Sequence, residues 1–168
     1  MNKGLTLIEL LVVITIIGIL SSVLFLGSRS EEEKLALQRS AYQLVQDLRE
    51  VQEMAMGAGE ISCDGGKTYS FGIYFTTASS NYYQFADCDA NQTYNAQNDK
   101  LLKEIKLEKG VQIQSLSPSS PLNIVFNPPD PTTYINQQSW GVEGMITLSF
   151  GSEIKQIKIN SAGKIEME

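Results

Sequence analysis

Four groups of residues in this chain have the type and spacing to do chemistry. Glu9 lies inside the apolar run "LTLIELLVVITIIGILSSVLFL", from Leu5 to Leu26. A lone carboxylate in a lipid-like medium costs on the order of 2 to 3 kcal/mol even on lenient insertion scales, so either a partner cancels its charge or it is an anchor glutamate tolerated near the membrane interface. Cys63 and Cys88 can form one intramolecular disulfide, closing a roughly 26-residue loop and contributing about 3 kcal/mol in the chain-entropy model. The alternative is two unpaired small core residues; neither cysteine belongs to a CxxC, which argues against a redox or metal role. In "DCDANQTYNAQND", Asp87, Asp89 and Asn91 at alternate positions, with Asp99 further along, offer the hard oxygen ligands that calcium takes. Gln92 stands where an EF-hand needs its turn glycine and Asn98 where it needs a bidentate glutamate, so a solvated Asx-rich loop is the other reading. Glu31, Glu32 and Glu33 form either the solvated flank of the apolar run or an ionic contact with a neighbouring molecule.

Composition removes several function classes. The 168 residues contain no histidine, and with it go the commonest general base and the commonest zinc ligand. There is no GxSxG and no P-loop, so an anchored enzyme would have to rely on a carboxylate pair. The net charge of −6, with Lys155, Lys158 and Lys164 interleaved with Glu153, Glu166 and Glu168, argues against nucleic acid as the main partner.

The elements that must position these residues follow from periodicity. The run from Leu5 to Leu26 spans about 33 Å as a helix, the thickness of a bilayer core, and is too long for a secretory signal. Lys3 precedes it and "SRSEEEK" follows, so positive-inside bias puts the N-terminus in the cytoplasm and the remainder outside. Beyond it Leu37, Ala41, Leu44, Leu48, Val51 and Ala55 recur at helical spacing on one face. Arg39, Gln43, Asp47, Glu50 and Glu53 fall mostly on the other side, and Gly57 and Gly59 are natural stops. No proline occurs before Pro118, so a single helix from Leu5 to Met56 is predicted.

After Gly59 the period changes to 2. "KTYSFGIYFTT" and "NYYQFADC" read as a hairpin joined by "ASS", and "LLKEIKLEKGVQIQSL" as two strands around Lys109-Gly110. "PLNIVFNPPDP" is a strand ended by prolines, and "GMITLSFGSEIKQIKINSAGKIEME" gives three strands with turns at Gly151-Ser152 and Ala162-Gly163. The predicted fold class is α+β. A long N-terminal helix, its first half transmembrane and its second amphipathic, packs on a mainly antiparallel sheet of about seven strands.

The stretch "KGLTLIELLVVITIIGIL" resembles the N-terminal signature of type IV pilins and type II secretion pseudopilins: a short basic leader ending in glycine, an apolar residue, Thr-Leu-Ile-Glu-Leu and an unbroken apolar helix. The resemblance implies cleavage by prepilin peptidase after Gly4 and N-methylation of Leu5, which stands where the family usually has Phe. It also implies that Glu9 pairs with the N-terminal amine of a neighbouring subunit as a filament assembles. The divisions that follow are a leader at residues 1–4, a transmembrane and assembly helix at 5–28, an amphipathic helix at 29–58 and a β-rich head at 59–168. The order of long helix then β-meander, with "LVQDLREVQEMAM" and "IKQIKINSAGKIEM", is similar to the H-type minor pseudopilins and FimT-like minor pilins. The function so implied is structural, not enzymatic: a minor subunit of a bacterial type IV pilus or type II secretion pseudopilus, single-pass in the inner or plasma membrane. Its partners would be other subunits, the peptidase, and an assembly platform and ATPase, with calcium the one cofactor to consider. The alternatives are a major pilin or G-type pseudopilin, or a DNA-binding minor pilin of an uptake system.

Overall fold

The computed structural model describes residues 6–57, 59–63, 66–128 and 132–168, with the backbone alone for 23–30. Helix α1, Leu7–Met56, runs unbroken for 50 residues. Thr6 caps its first turn, and at the far end the Gly59 amide donates to the Met54 carbonyl at 3.0 Å. No proline or competing cap interrupts it, which is why the apolar and amphipathic patterns fuse into one rod. Among the described residues no helix is long and apolar enough to cross a membrane. The apolar run anticipated from Leu5 to Leu26 extends at both ends beyond the residues whose side chains are described.

Among the described residues eleven strands follow. β1 (Ile61–Cys63) and β2 (Gly66–Thr68) form a small antiparallel ribbon. β3 (Phe71–Phe75), β4 (Asn81–Ala86) and β5 (Lys100–Lys106) come next, then β6 (Gln112–Ser117), β7 (Leu122–Asn127) and β8 (Thr132–Ile135), and finally β9 (Glu143–Phe150), β10 (Glu153–Asn160) and β11 (Ile165–Met167). A five-stranded sheet has the order β5-β4-β3-β7-β8 and a four-stranded sheet the order β11-β10-β9-β6, with antiparallel pairing throughout.

In place of the expected single sheet of about seven strands, the described residues form eleven strands in three sheets. Lys109-Gly110 is not a hairpin turn: β5 pairs with β4, and β6 with β9 in the other sheet. The crossing is anchored by Leu107 and Val111, both buried on either side of Gly110. Gly110 has φ +95° and lies so close to the Phe150 ring that a Cβ would stand 2.5 Å from it, so only glycine fits. The strands missing from the prediction, β1, β2 and β8, are three or four residues long, too short to show a period.

The core lies where the helix meets both sheets. Leu37, Ala41, Leu44, Leu48, Val51 and Ala55 are all buried, and α1 packs on β3 and β7 of one sheet and on β9, β10 and β11 of the other. Phe71, Ile73, Phe75, Tyr82, Ile124, Ile146, Leu148 and Ile157 meet that stripe from the sheets. The predicted apolar face holds, but Asp47, expected on the solvated side, is only 7 % exposed. A wider face than the stripe is covered because two sheets, not one, embrace the helix.

Leu48→Ala in the full chain in detergent is expected to cost about 2 to 4 kcal/mol by chemical denaturation. Leu35→Ala, at an exposed position of the same helix, is expected to stay within about 0.5 kcal/mol. Equal losses for the two would refute the assignment of the buried face.

Candidate functional site

The first candidate site is the start of the helix. Thr6 and Glu9 form a capping box: the Glu9 amide donates to Thr6 Oγ1 at 3.4 Å, and the Thr6 amide donates back to Glu9 Oε2 at 3.3 Å. The Thr6 hydroxyl also donates to Glu9 Oε2, at 3.3 Å. Glu9 is thus not an unsatisfied carboxylate in the single chain, as the insertion cost alone suggested. Its charge faces the positive end of the helix dipole and collects the donors found there. The signal was in the sequence, since Thr-x-x-Glu before an apolar run is the capping-box pattern. Gly4 and Leu5, the predicted cleavage and methylation positions, lie outside the described residues.

Above this cap the helix is apolar on every side and uncovered by its own chain. Leu7, Ile8, Leu10, Leu11, Ile14, Ile17 and Leu20 are all exposed, from 81 % at Leu7 to 53 % at Leu11. Gly18 has no neighbour within 4 Å of where a Cβ would stand. A helix that is hydrophobic all round requires a cover, either lipid or other apolar helices.

The second candidate is the connection between β4 and β5. Cys63 and Cys88 are disulfide-bonded with their Cα atoms 5.8 Å apart, which fastens the first residues of this connection to β1. Asp87 is held by its backbone, its amide donating to Ser70 O at 3.0 Å and its carbonyl accepting from Thr68 Oγ1 at 2.7 Å. Its carboxylate Oδ2 accepts from the Gln92 amide at 3.1 Å, while Oδ1 is buried with no hydrogen-bond partner. Asp99 accepts from the Cys88 amide through Oδ1 at 2.9 Å and from the Asn95 amide through Oδ2 at 2.7 Å. Asp89 Oδ2 accepts from Asn91 Nδ2 at 2.8 Å and from Asn98 Nδ2 at 3.0 Å.

One carboxylate oxygen from each of Asp87, Asp89 and Asp99 lies within 4.8 Å of the other two. The predicted fourth residue, Asn91, turns its oxygen away: Oδ1 accepts from the Thr93 amide at 2.7 Å, and its nitrogen faces Asp89. Burial pushes the Asp87 carboxyl up to about 6, with the Asp99 and Asp89 charges adding to the effect and the Gln92 amide opposing it. Burial raises Asp99 too, against the pull of the Asn95 and Cys88 amides. The middle of the connection is pinned by Tyr94, whose ring lies 5.1 Å from those of Tyr74 and Phe85 and 6.1 Å from that of Tyr83. Its amide donates to Asn123 Oδ1 at 2.8 Å.

Polar clasps lock the helix to the head. Arg39 donates through two nitrogens to Glu108, at 2.6 and 2.8 Å. Tyr82 donates its phenolic proton to the buried Asp47 carboxylate at 2.5 Å, and Lys103 approaches the same carboxylate at 4.0 Å. Sequence reasoning missed this pair because Tyr82 lies 35 residues away and on a strand. Burial raises the Asp47 carboxyl, against the Tyr82 hydrogen bond and the Lys103 charge, which favour ionisation.

Residues 1–25 match the family model described as the prokaryotic N-terminal methylation motif. This supports the type IV pilin and pseudopilin class, with prepilin-type processing of the N-terminus and assembly with other pilin subunits. No characterised protein and no solved structure matches the chain. The pilin motif points to a structural subunit.

Because the folded chain holds the Asp47 proton more tightly than the unfolded chain does, this group favours folding most at low pH. That contribution fades as the pH rises from about 4, the ordinary aspartate value, through the raised native one. Relative to Asp47→Asn, wild-type Tm is expected to fall between pH 4 and pH 7 in detergent. A relative gain over that range would mean that Tyr82 and Lys103 outweigh burial.

Proposed function

We propose that this chain is a minor structural subunit of a bacterial type IV pilus or type II secretion pseudopilus. The observation that carries the reading is the capped, all-round apolar helix start, uncovered by its own chain, within the matched methylation motif. Prepilin peptidase cuts after Gly4 and frees the amine of Leu5, which is then methylated. Residues 1–4 are the leader, 5–28 the membrane and assembly helix, 29–58 the amphipathic helix and 59–168 the head. Before assembly the helix sits in the inner or plasma membrane with its N-terminus cytoplasmic and its head outside.

The capping box bears on how Glu9 works. Its carboxylate already faces Thr6, next in sequence to the residue that becomes the new N-terminus. An ammonium and a carboxylate, each costly alone in a medium of low dielectric, attract strongly when paired there. A neighbour's Leu5 amine brought to Glu9 satisfies both charges, so the pair sets the register between helices whose apolar sides supply the cohesion. The assembly platform and ATPase supply the work. The helix-then-antiparallel-head order and the closing hairpin of β10 and β11 favour the H-type minor class over a major subunit.

Intact mass of membrane-extracted protein co-expressed with prepilin peptidase is expected to show loss of Met1 to Gly4, with one added methyl. An uncut chain overturns the reading. Glu9→Gln, which keeps the cap but removes the charge, is expected to be cut normally and yet to be absent from sheared filaments, as is Glu9→Ala. Filament incorporation of Glu9→Gln at wild-type level would reduce Glu9 to a helix cap.

A further inference from the structure

We propose that Asp87, Asp89 and Asp99 form a binding site for one calcium ion that clamps the neck of the connection between β4 and β5. The three carboxylates converge to within 4.8 Å, a span that a single cation can bridge. Among the described residues none of the three is in an ion pair with a lysine or arginine. Acidic residues gather on many surfaces without a ligand; what sets this cluster apart is Asp87. Its side chain is 1 % exposed, its Oδ2 is taken by the Gln92 amide, and its Oδ1 is sealed from water with no donor. A buried carboxylate oxygen without a donor is costly, and nearly all such oxygens in folded proteins have a partner. Here the neighbours of Asp87 are two more carboxylates, which can share a cation with it but cannot donate to it while ionised.

The donor set selects the ion. It is all oxygen: the chain has no histidine, and the adjacent Cys63 and Cys88 are spent in a disulfide, so zinc and copper lack their usual ligands. Each Asp99 oxygen and Asp89 Oδ1 accept one amide apiece and so keep a lone pair for a cation, while Asp89 Oδ2 accepts from two side-chain amides. A cavity of about 240 Å³, lined in part by Cys88, Asn98 and Asp99, opens beside the cluster and leaves room for water ligands. Three carboxylates from an irregular loop, completed by water, suit the loose six- to eight-fold coordination of calcium better than the strict octahedron of magnesium. The position gives the ion its role. Asp87 directly follows β4 and Asp99 directly precedes β5, so the ion joins the two ends of the connection. The disulfide ties the same point to β1, and Tyr94 pins the middle of the connection.

The test uses the full chain in detergent micelles, stripped with EDTA and exchanged into metal-free buffer, with calcium chloride or magnesium chloride as the probe. Wild type is expected to bind calcium with a stoichiometry of one by calorimetry, and its Tm to rise by about 3 °C or more at saturation. Asp89→Asn, at an exposed position, is expected to keep the Tm of the stripped wild type and to lose at least tenfold in calcium affinity. Asp99→Asn is expected to lose as much. No binding heat and no Tm shift in the wild type would overturn the site, as would undiminished affinity in a folded Asp89→Asn variant. An equal response to magnesium at equal concentration would overturn the choice of ion.

Discussion

The burial of one stripe of α1 against two sheets is the contact on which the rest of this molecule depends. Leu37, Ala41, Leu44, Leu48, Val51 and Ala55 are all buried, and both sheets pack on the helix around them. No strand of one large sheet pairs with a strand of the other, and the two layers meet at the helix and at edge contacts such as the Ile113 amide donating to Ser79 O at 2.8 Å. Helical stability in proteins comes largely from such tertiary burial rather than from intrinsic propensity. The same rod is uncovered along its first turns, from Leu7 to Leu20, where none of the other described elements packs. The molecule therefore has one half whose partner is internal and another whose partner must come from outside.

Polar groups in the structure divide along the same line. At the helix-head boundary they act at short range and in pairs: Arg39 with Glu108, Asp47 with Tyr82, Gln52 with the Gly163 carbonyl. Each fixes the rotation of the helix more than it adds free energy, since exposed pairs contribute little and a buried carboxylate is costly. At the helix start the one charged group among the described residues, Glu9, is bonded to its own cap by interactions of 3.3 to 3.4 Å that a charged partner would outcompete. The cap keeps that carboxylate oriented until such a partner arrives.

Much of this was legible in the amino-acid sequence, for reasons that also mark where legibility ends. The helix stripe could be read because its burial repeats at the helical period, and the hairpins of β3 with β4 and β9 with β10 because short polar turns separate alternating runs. The division into two large sheets could not be, since Lys109-Gly110 looks like a turn and only the long-range pairing of β5 with β4 and of β6 with β9 shows the chain crossing over. Asp47 looked solvated because helical spacing sets it with Gln43 and Glu50 opposite the apolar stripe, whereas in space it meets Tyr82 of β4 and Lys103 of β5. The acidic segment announced itself by Asp87, Asp89 and Asn91 at alternate positions with Asp99 further along; the carboxylates of the three aspartates converge, whereas the Asn91 oxygen accepts from the Thr93 amide. Alternation fixes spacing along the chain, not which amide group a tight loop turns inward.

The continuity of α1 has a mechanical side. A helix of 50 residues without a proline or an internal cap is a stiff lever about 75 Å long. Tension applied at its free end reaches the head along the whole buried stripe at once, as shear distributed over apolar contacts and polar clasps, rather than at a single hinge. The first strand begins only five residues past the end of the helix, and the disulfide at Cys63 ties that strand across to Cys88. Load leaving the helix through the backbone therefore meets a covalent cross-link before it can peel the sheets apart.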